Sequence, residues 1–125
     1  MRISTTPAVP AGSQFPLLAR LYTSAGAVAV PGNFSSLAVV VYDTEDMSNP
    51  IYPSTNLSPL SSYVYSSLQT DRDWTINFDA TGYNFAYTTL AAQLPKGGKL
   101  YEFRFTPSAG TPFAFQVPTL RLVGT

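Results

Sequence analysis

Short stretches in which apolar and polar residues alternate recur along the whole chain. The clearest one places Tyr101, Phe103 and Phe105 on one face and Glu102 and Arg104 on the other. Alternation with a period of two is typical of a β-strand that buries one face. We therefore expect the three aromatic residues to point into a core and the two charged residues to face solvent or a partner.

Further segments have the composition of strands, and turn signals separate them. Residues 37–42 are apolar and β-branched on both faces, as in a central strand. No segment carries a sustained helical stripe, and residues 88–94 are the one candidate for a helical turn. The other predicted strands lie within residues 15–22, 62–68, 74–78, 83–87 and 113–123. About seven short strands at roughly 8–12-residue spacing predict an all-β, immunoglobulin-like antiparallel β-sandwich.

A Gly-rich turn at residues 95–98 precedes the strand that carries Tyr101. A tyrosine just inside a strand after such a corner suggests the tyrosine corner of immunoglobulin-like sandwiches, in which the hydroxyl bonds to the upstream backbone. Burial in the core is the alternative role for Tyr101. The chain has no cysteine, so a true antibody-type domain with its disulfide is excluded.

Residues 1–14 differ from the rest because they are polar and small and contain Pro7, Pro10 and Gly12. Proline without periodicity indicates an extended segment. We predict an extended N-terminal arm over residues 1–14 and one sandwich domain over residues 15–125. The corresponding hypothesis is that deletion of the arm leaves the domain folded and weakens assembly.

Composition narrows the function classes. The chain has 125 residues, equal numbers of acidic and basic side chains, and neither His nor Cys. Zero net charge argues against a nucleic-acid partner, because phosphate binding needs surplus Lys and Arg. The missing residue types exclude thiol and imidazole chemistry. No apolar run approaches the roughly 20 residues that span a bilayer, and Met1–Ser4 lacks a charged region followed by an apolar one. We therefore expect neither a membrane span nor a signal peptide of the usual kind.

Acidic residues are the remaining candidates for chemistry. Carboxylate clusters can hold Ca²⁺, which takes about 6–8 oxygen ligands, but no EF-hand loop is present. The alternative is that these acids form turns and surface charge. The two loose clusters are Asp43, Glu45 and Asp46, and Asp71, Asp73 and Asp79. We expect no metal and no cofactor.

Catalysis has little support in the sequence. A glycosidase needs two carboxylates across a cleft, and a small sandwich offers little material for one. A nucleophilic Ser or Thr needs a base, and only Lys96 or Lys99 could serve. We therefore expect no catalytic residues and no enzymatic activity.

Aromatic residues make up 14% of the chain, and most of them are expected in the core. Five are less easily placed there, because four tyrosines fall in or beside the irregular middle segment and one tryptophan stands beside Asp73. They are candidates for a protein interface, where Tyr and Trp are enriched, or for a platform that stacks sugars. The five are Tyr42, Tyr52, Tyr63, Tyr65 and Trp74.

Three segments carry a family resemblance. Leu68–Thr75, Thr81–Phe85 and Tyr101–Pro107 resemble small β-sandwich accessory proteins of tailed-bacteriophage virions, and the resemblance covers roughly residues 37–123. It implies a virion location, with other virion proteins and copies of the chain itself as partners. It carries no active-site residues.

These observations predict a structural virion protein, either capsid-decorating or a tail or neck accessory subunit, that acts by protein–protein adhesion in a multi-copy assembly. A surface poor in charge lowers the solubility of a free monomer and so favours a protein that is part of an assembly. The alternative is a carbohydrate- or receptor-binding module whose partner would include a cell-surface glycan.

Overall fold

The computed structural model describes residues 2–71, 82–108 and 110–121 of the chain. These residues form eight β-strands and three short 3-10 turns. In chain order the strands are β1 (Arg2–Thr5), β2 (Pro16–Ala19), β3 (Leu37–Asp43), β4 (Tyr52–Asn56), β5 (Val64–Gln69), β6 (Tyr83–Thr88), β7 (Leu100–Pro107) and β8 (Phe113–Pro118). The turns cover Pro31–Asn33, Leu60–Ser62 and Ala91–Gln93.

The strands build two sheets. The large sheet has the order β1-β8-β7-β3-β4, and the small sheet has the order β2-β6-β5. In immunoglobulin nomenclature β2, β6 and β5 correspond to strands B, E and D, and β8, β7, β3 and β4 to strands G, F, C and C′. The predicted all-β sandwich is thus confirmed. It has one more described strand than the approximate count predicted from sequence, and its β1–β8 pair is parallel.

The core lies between the two sheets and is largely aromatic. Tyr101, Phe103 and Phe105 of β7 are at most 1% exposed, as the alternation predicted. Phe85 of the small sheet meets Phe105 of the large sheet edge to face, with ring centroids 5.0 Å apart. Contact between the sheets therefore rests on interlocked rings, which bury much apolar area per residue.

The tyrosine corner is present at the start of β7. The Tyr101 hydroxyl accepts a hydrogen bond from the Lys96 amide at 3.1 Å, five residues upstream. Gly97 lies against the Leu120 carbonyl, where an added Cβ would sit only 2.5 Å from the oxygen. The Gly-rich turn thus lets the backbone at Gly97 approach the backbone at Leu120 closely. The hydrogen bond to Tyr101 stabilises the conformation of this turn.

Residues 2–9 are extended, and their own domain holds them. β1 pairs in parallel with β8, and the pairing continues because the Thr6 amide donates to the Gln116 carbonyl at 3.0 Å. Val9 donates to Pro118 at 3.0 Å and accepts from Leu120 at 2.8 Å. This first part of the predicted arm is therefore an edge of the large sheet, which bears on the hypothesis that its deletion leaves the domain intact.

Two sequence predictions concern residues outside the described ranges. The predicted strand over residues 74–78 and the candidate interface residue Trp74 both fall there. Among the described residues, no helix is long and apolar enough to cross a membrane.

Candidate functional site

Three of the predicted interface residues line one groove. Tyr52, Tyr63 and Tyr65 surround a cavity of about 420 Å³ together with Tyr87, and we call this site the tyrosine groove. All three predicted residues are half-buried, whereas Tyr87 is buried. The sequence prediction therefore found most of the aromatic lining, although it did not predict that these residues share a cavity.

The groove forms where the small sheet loses a neighbouring strand. The Ala86 amide of β6 donates to the Tyr63 carbonyl at 2.9 Å, just before β5 begins. Upstream of Tyr63 the chain turns into the 3-10 segment Leu60–Ser62, so β5 does not continue alongside the end of β6. The groove extends from this gap to the edge strand β4 of the large sheet, which contributes Tyr52.

A chain of contacts fixes the orientation of Tyr63. Its ring stacks on that of Tyr87, with centroids 5.9 Å apart and planes 29° apart. The Tyr87 hydroxyl accepts a hydrogen bond from Nε2 of the fully buried Gln93 at 2.7 Å, and Gln93 Oε1 accepts from the Leu90 amide at 2.8 Å. Burial raises the pKa of Tyr87, so its phenol is neutral at physiological pH.

Tyr65 has a comparable support on the other side of Val64. Its ring meets that of the buried Tyr83 edge to face, with centroids 6.1 Å apart. The Tyr83 hydroxyl donates to Asp71 Oδ1 at 2.6 Å. Both groove tyrosines therefore rest on a second tyrosine whose hydroxyl is already hydrogen-bonded, and this support limits the side-chain motion that a ligand would have to arrest.

The remaining described lining is uncharged, and it mixes polar side chains with the apolar side chains of Val39, Leu57, Ala86 and Leu90. Hydroxyl and amide side chains contribute donors and acceptors without a net charge, and none of the described residues that line the groove is Asp, Glu, Lys or Arg. The polar lining residues are Thr55, Asn56, Ser58, Ser62 and Thr88. The groove can therefore form hydrogen bonds and ring contacts, but its described lining offers no charge to neutralise an ion.

Tyr42 lies on a different surface. Leu37, Val39 and Val41 of β3 are buried in the core, so Tyr42 projects from the opposite side of the large sheet. The outer sheet face, as we call it, carries Val40, Tyr42, Glu102, Arg104 and Gln116. Arg104 Cζ lies 5.5 Å from the centroid of the Tyr42 ring, within the range of a cation–π contact.

Glu102 corrects one part of the expectation that both charged residues of β7 face solvent or a partner, because Glu102 itself is buried. Glu102 is only 4% exposed, because its neighbours on the outer sheet face close over it. Its Oε2 accepts from Arg104 Nη2 at 2.6 Å and Nε at 3.2 Å, and its Oε1 accepts from Gln116 Nε2 at 3.2 Å. Arg104 keeps a side-chain exposure of 33%, so its guanidinium is both anchored and accessible.

Replacement of Glu102 should therefore cost more than an ordinary surface substitution. We expect Glu102→Ala to lower the free energy of unfolding by about 2 kcal/mol, because it leaves the partly buried Arg104 without its partner. Glu102→Gln should cost less, since an amide still accepts a hydrogen bond. Denaturant titration of the two variants measures the difference. A loss below about 0.5 kcal/mol for Glu102→Ala, the range of exposed sites, would contradict the buried pair.

The acidic clusters of the sequence are engaged elsewhere or lie partly outside the described ranges. Lys99 Nζ contacts Glu45 Oε2 at 2.9 Å and Asp43 Oδ2 at 3.5 Å. Asp46 accepts from the Ser48 hydroxyl at 2.7 Å, which lowers the pKa of Asp46. Asp71 accepts from Tyr83, and Asp73 and Asp79 are not described. Within the described part of the chain, no group of three or more His, Cys, Asp or Glu residues could hold a metal ion.

Sequence reasoning missed Tyr87 and Gln93 as parts of the site. Tyr87 has the alternation of a core strand residue, and its phase alone assigns it to the interior. A chemical argument could have linked the two residues, because the hydroxyl of a buried tyrosine needs a hydrogen-bond partner. Gln93, six residues downstream of Tyr87, provides that partner.

Comparison of the chain with protein-family models, with curated proteins and with solved structures finds no match. The architecture itself is a two-sheet β-sandwich with a tyrosine groove at one edge and an ion-paired outer sheet face.

Proposed function

We propose that the protein is a non-enzymatic adhesion subunit of a multi-copy assembly, and that the assembly is the virion of a tailed bacteriophage. The observation that carries the adhesion role is the outer sheet face. There the Arg104 guanidinium lies over the Tyr42 ring, and Glu102 forms an ion pair with it. Tyr and Arg are enriched among the residues that dominate binding energy at protein interfaces.

Pre-organisation strengthens this argument. A free arginine loses much side-chain entropy when a partner immobilises it, and that loss lowers affinity. Two hydrogen bonds to Glu102 already restrict Arg104 in the isolated chain. The entropy cost of docking a partner on this face is correspondingly smaller.

Apolar surface next to this pair supports the same proposal. Val40, Arg104, Ala114 and Ile3 are cross-strand neighbours in one row of the large sheet. Ile3 is 48% exposed, so the row presents apolar area that a partner could bury at about 25 cal/mol per Å². With charged residues at only 11% of the chain, little of the surface opposes such contacts.

The choice of a virion rests on the sequence resemblance alone, and the outer sheet face supports only the more general adhesion role. The virion role predicts that the protein is present in virions of the phage whose genome encodes it. An immunoblot of the purified virions tests this. Its absence from them would contradict the virion role.

Adhesion between copies has a direct test. In sedimentation velocity over a concentration series, we expect the purified protein to self-associate and Tyr42→Ala to weaken that association by about 30-fold, the effect of one dominant interface residue. Tyr22→Ala is the matched control, since Tyr22 is exposed on the connection between β2 and β3. Thermal melts confirm that both variants fold.

A wild-type protein that stays monomeric throughout the series would contradict adhesion between copies. Equal weakening by Tyr42→Ala and Tyr22→Ala would contradict the assignment of this adhesion to the outer sheet face.

A further inference from the structure

We infer that the tyrosine groove is a binding site for an uncharged saccharide of one or two pyranose rings. This site lies apart from the outer sheet face, and the inference does not rest on the adhesion role proposed for that face. It rests on the aromatic support, the uncharged polar lining and the dimensions of the groove.

The aromatic support provides a stacking surface. A pyranose ring has faces made of C–H groups, which carry partial positive charge and pack against the electron-rich face of an aromatic ring. Tyr63 is half-buried and lines the groove, and Tyr87 supports its ring. The stacking surface is therefore in place before a ligand arrives.

The polar lining matches the other property of sugars, their many hydroxyl groups. A hydroxyl is both donor and acceptor, and it pairs well with Ser, Thr and Asn side chains. Asn56, Ser62 and Thr88 provide such groups around the tyrosines. Because hydroxyl partners can rotate to suit a ligand, such a lining fits sugars without demanding one donor pattern.

The absence of charge selects against anions. Burial of a carboxylate or phosphate away from water without a partner is costly, and no residue in the described part of the lining is Lys or Arg. Acidic sugars, nucleotides and phosphorylated peptides therefore have no ion-pairing partner among the lining residues that the structure describes. A neutral sugar carries no such cost.

The dimensions favour a short saccharide. The volume of about 420 Å³ is near the small end of ligand sites, which run from roughly 300 to 1,000 Å³. An added protein strand is a poorer occupant, because β4 contains Pro53 and its register with β3 shifts between Val39 and Val41. Proline and bulges at an edge discourage pairing with another strand.

The test uses a panel of neutral and acidic mono- and disaccharides, including methyl glucoside, lactose, maltose and N-acetylneuraminic acid. Binding is measured by ligand-observed NMR and by titration calorimetry. We expect at least one neutral sugar to bind and the acidic sugar to bind more weakly. Tyr63→Ala should weaken binding of the neutral sugar about tenfold or more, whereas Tyr63→Phe should keep most of it, because the ring remains.

Controls separate this site from the outer sheet face. Tyr22→Ala and Tyr42→Ala should leave sugar affinity unchanged, and Tyr63→Ala should leave self-association unchanged. The inference is overturned if no neutral sugar in the panel binds, if only the acidic sugar binds, or if Tyr63→Ala and Tyr22→Ala weaken binding equally. Thermal melts show whether each variant is folded, and Tyr63→Phe gives a second measurement if Tyr63→Ala fails to fold.

Discussion

Phe105→Ala is expected to lower the free energy of unfolding by about 3–5 kcal/mol, the range for truncation of a buried phenylalanine. Phe105 is fully buried, and its ring contacts those of four other aromatic residues. The centroid distances are 5.0 Å to Phe85, 5.4 Å to Tyr87, 5.2 Å to Phe113 and 5.9 Å to Phe115. Two of these partners belong to the small sheet, so the cavity would open at the contact between the sheets.

The next residue on the same strand is the control. Thr106 is exposed, so Thr106→Ala should change stability by no more than about 0.5 kcal/mol. Urea titration of the two variants measures the difference. If the slopes of the unfolding free energy against urea are equal, the difference in midpoints gives the difference in stability directly. Equal losses at positions 105 and 106 would mean that the register of β7 has been misassigned.

The strands that could be predicted are those that bury one face. In β7 the alternation from Tyr101 to Phe105 coincides with burial, because β7 lies between β8 and β3 in the large sheet. In β3 the apolar run marked a central strand for the same reason. A strand that contributes side chains to a core leaves a hydrophobic pattern in its sequence.

Edge strands leave no such pattern, and two of them were missed. β4 is Tyr-Pro-Ser-Thr-Asn, and most of it is exposed. β1 is mostly polar, and we interpreted it as part of an extended arm and not as a strand of the sheet. Both form through backbone hydrogen bonds to a neighbouring strand, which any residue except proline can donate. The partner, rather than the local composition, determines that these segments are strands.

The candidate site likewise combines features that the local sequence predicts with features that depend on neighbouring strands. Tyr52, Tyr63 and Tyr65 were selected because they fall in or beside an irregular segment, and they do share a groove. Tyr42 was selected by the same criterion, but its place on β3 directs it to the outer sheet face. The burial of Glu102 depends on Gln116 of β8, a cross-strand neighbour that alternation within β7 does not reveal.

Deletion of the N-terminal segment is expected to cause the second large loss of stability. Deletion of residues 1–9 removes the β1 ladder with β8 and the buried side chain of Val9. Burial of a valine stabilises by about 1.5–3 kcal/mol, and each backbone hydrogen bond adds about 0.5–1.5 kcal/mol net. We therefore expect a loss of about 3 kcal/mol or more in the free energy of unfolding.

A shorter deletion separates the two contributions. Removal of residues 1–5 keeps Thr6 and Val9, whose amides bond to Gln116 and Pro118, so it should cost less than removal of residues 1–9. Either deletion also uncovers β8 as an unpaired edge, and exposed edges favour association with other chains. Sedimentation of the truncated proteins should therefore show more self-association, in contrast to the weakened assembly that the arm hypothesis predicts. Unchanged stability together with weaker association would instead favour an arm that acts on a neighbouring chain, since β1 would then contribute little to its own sheet.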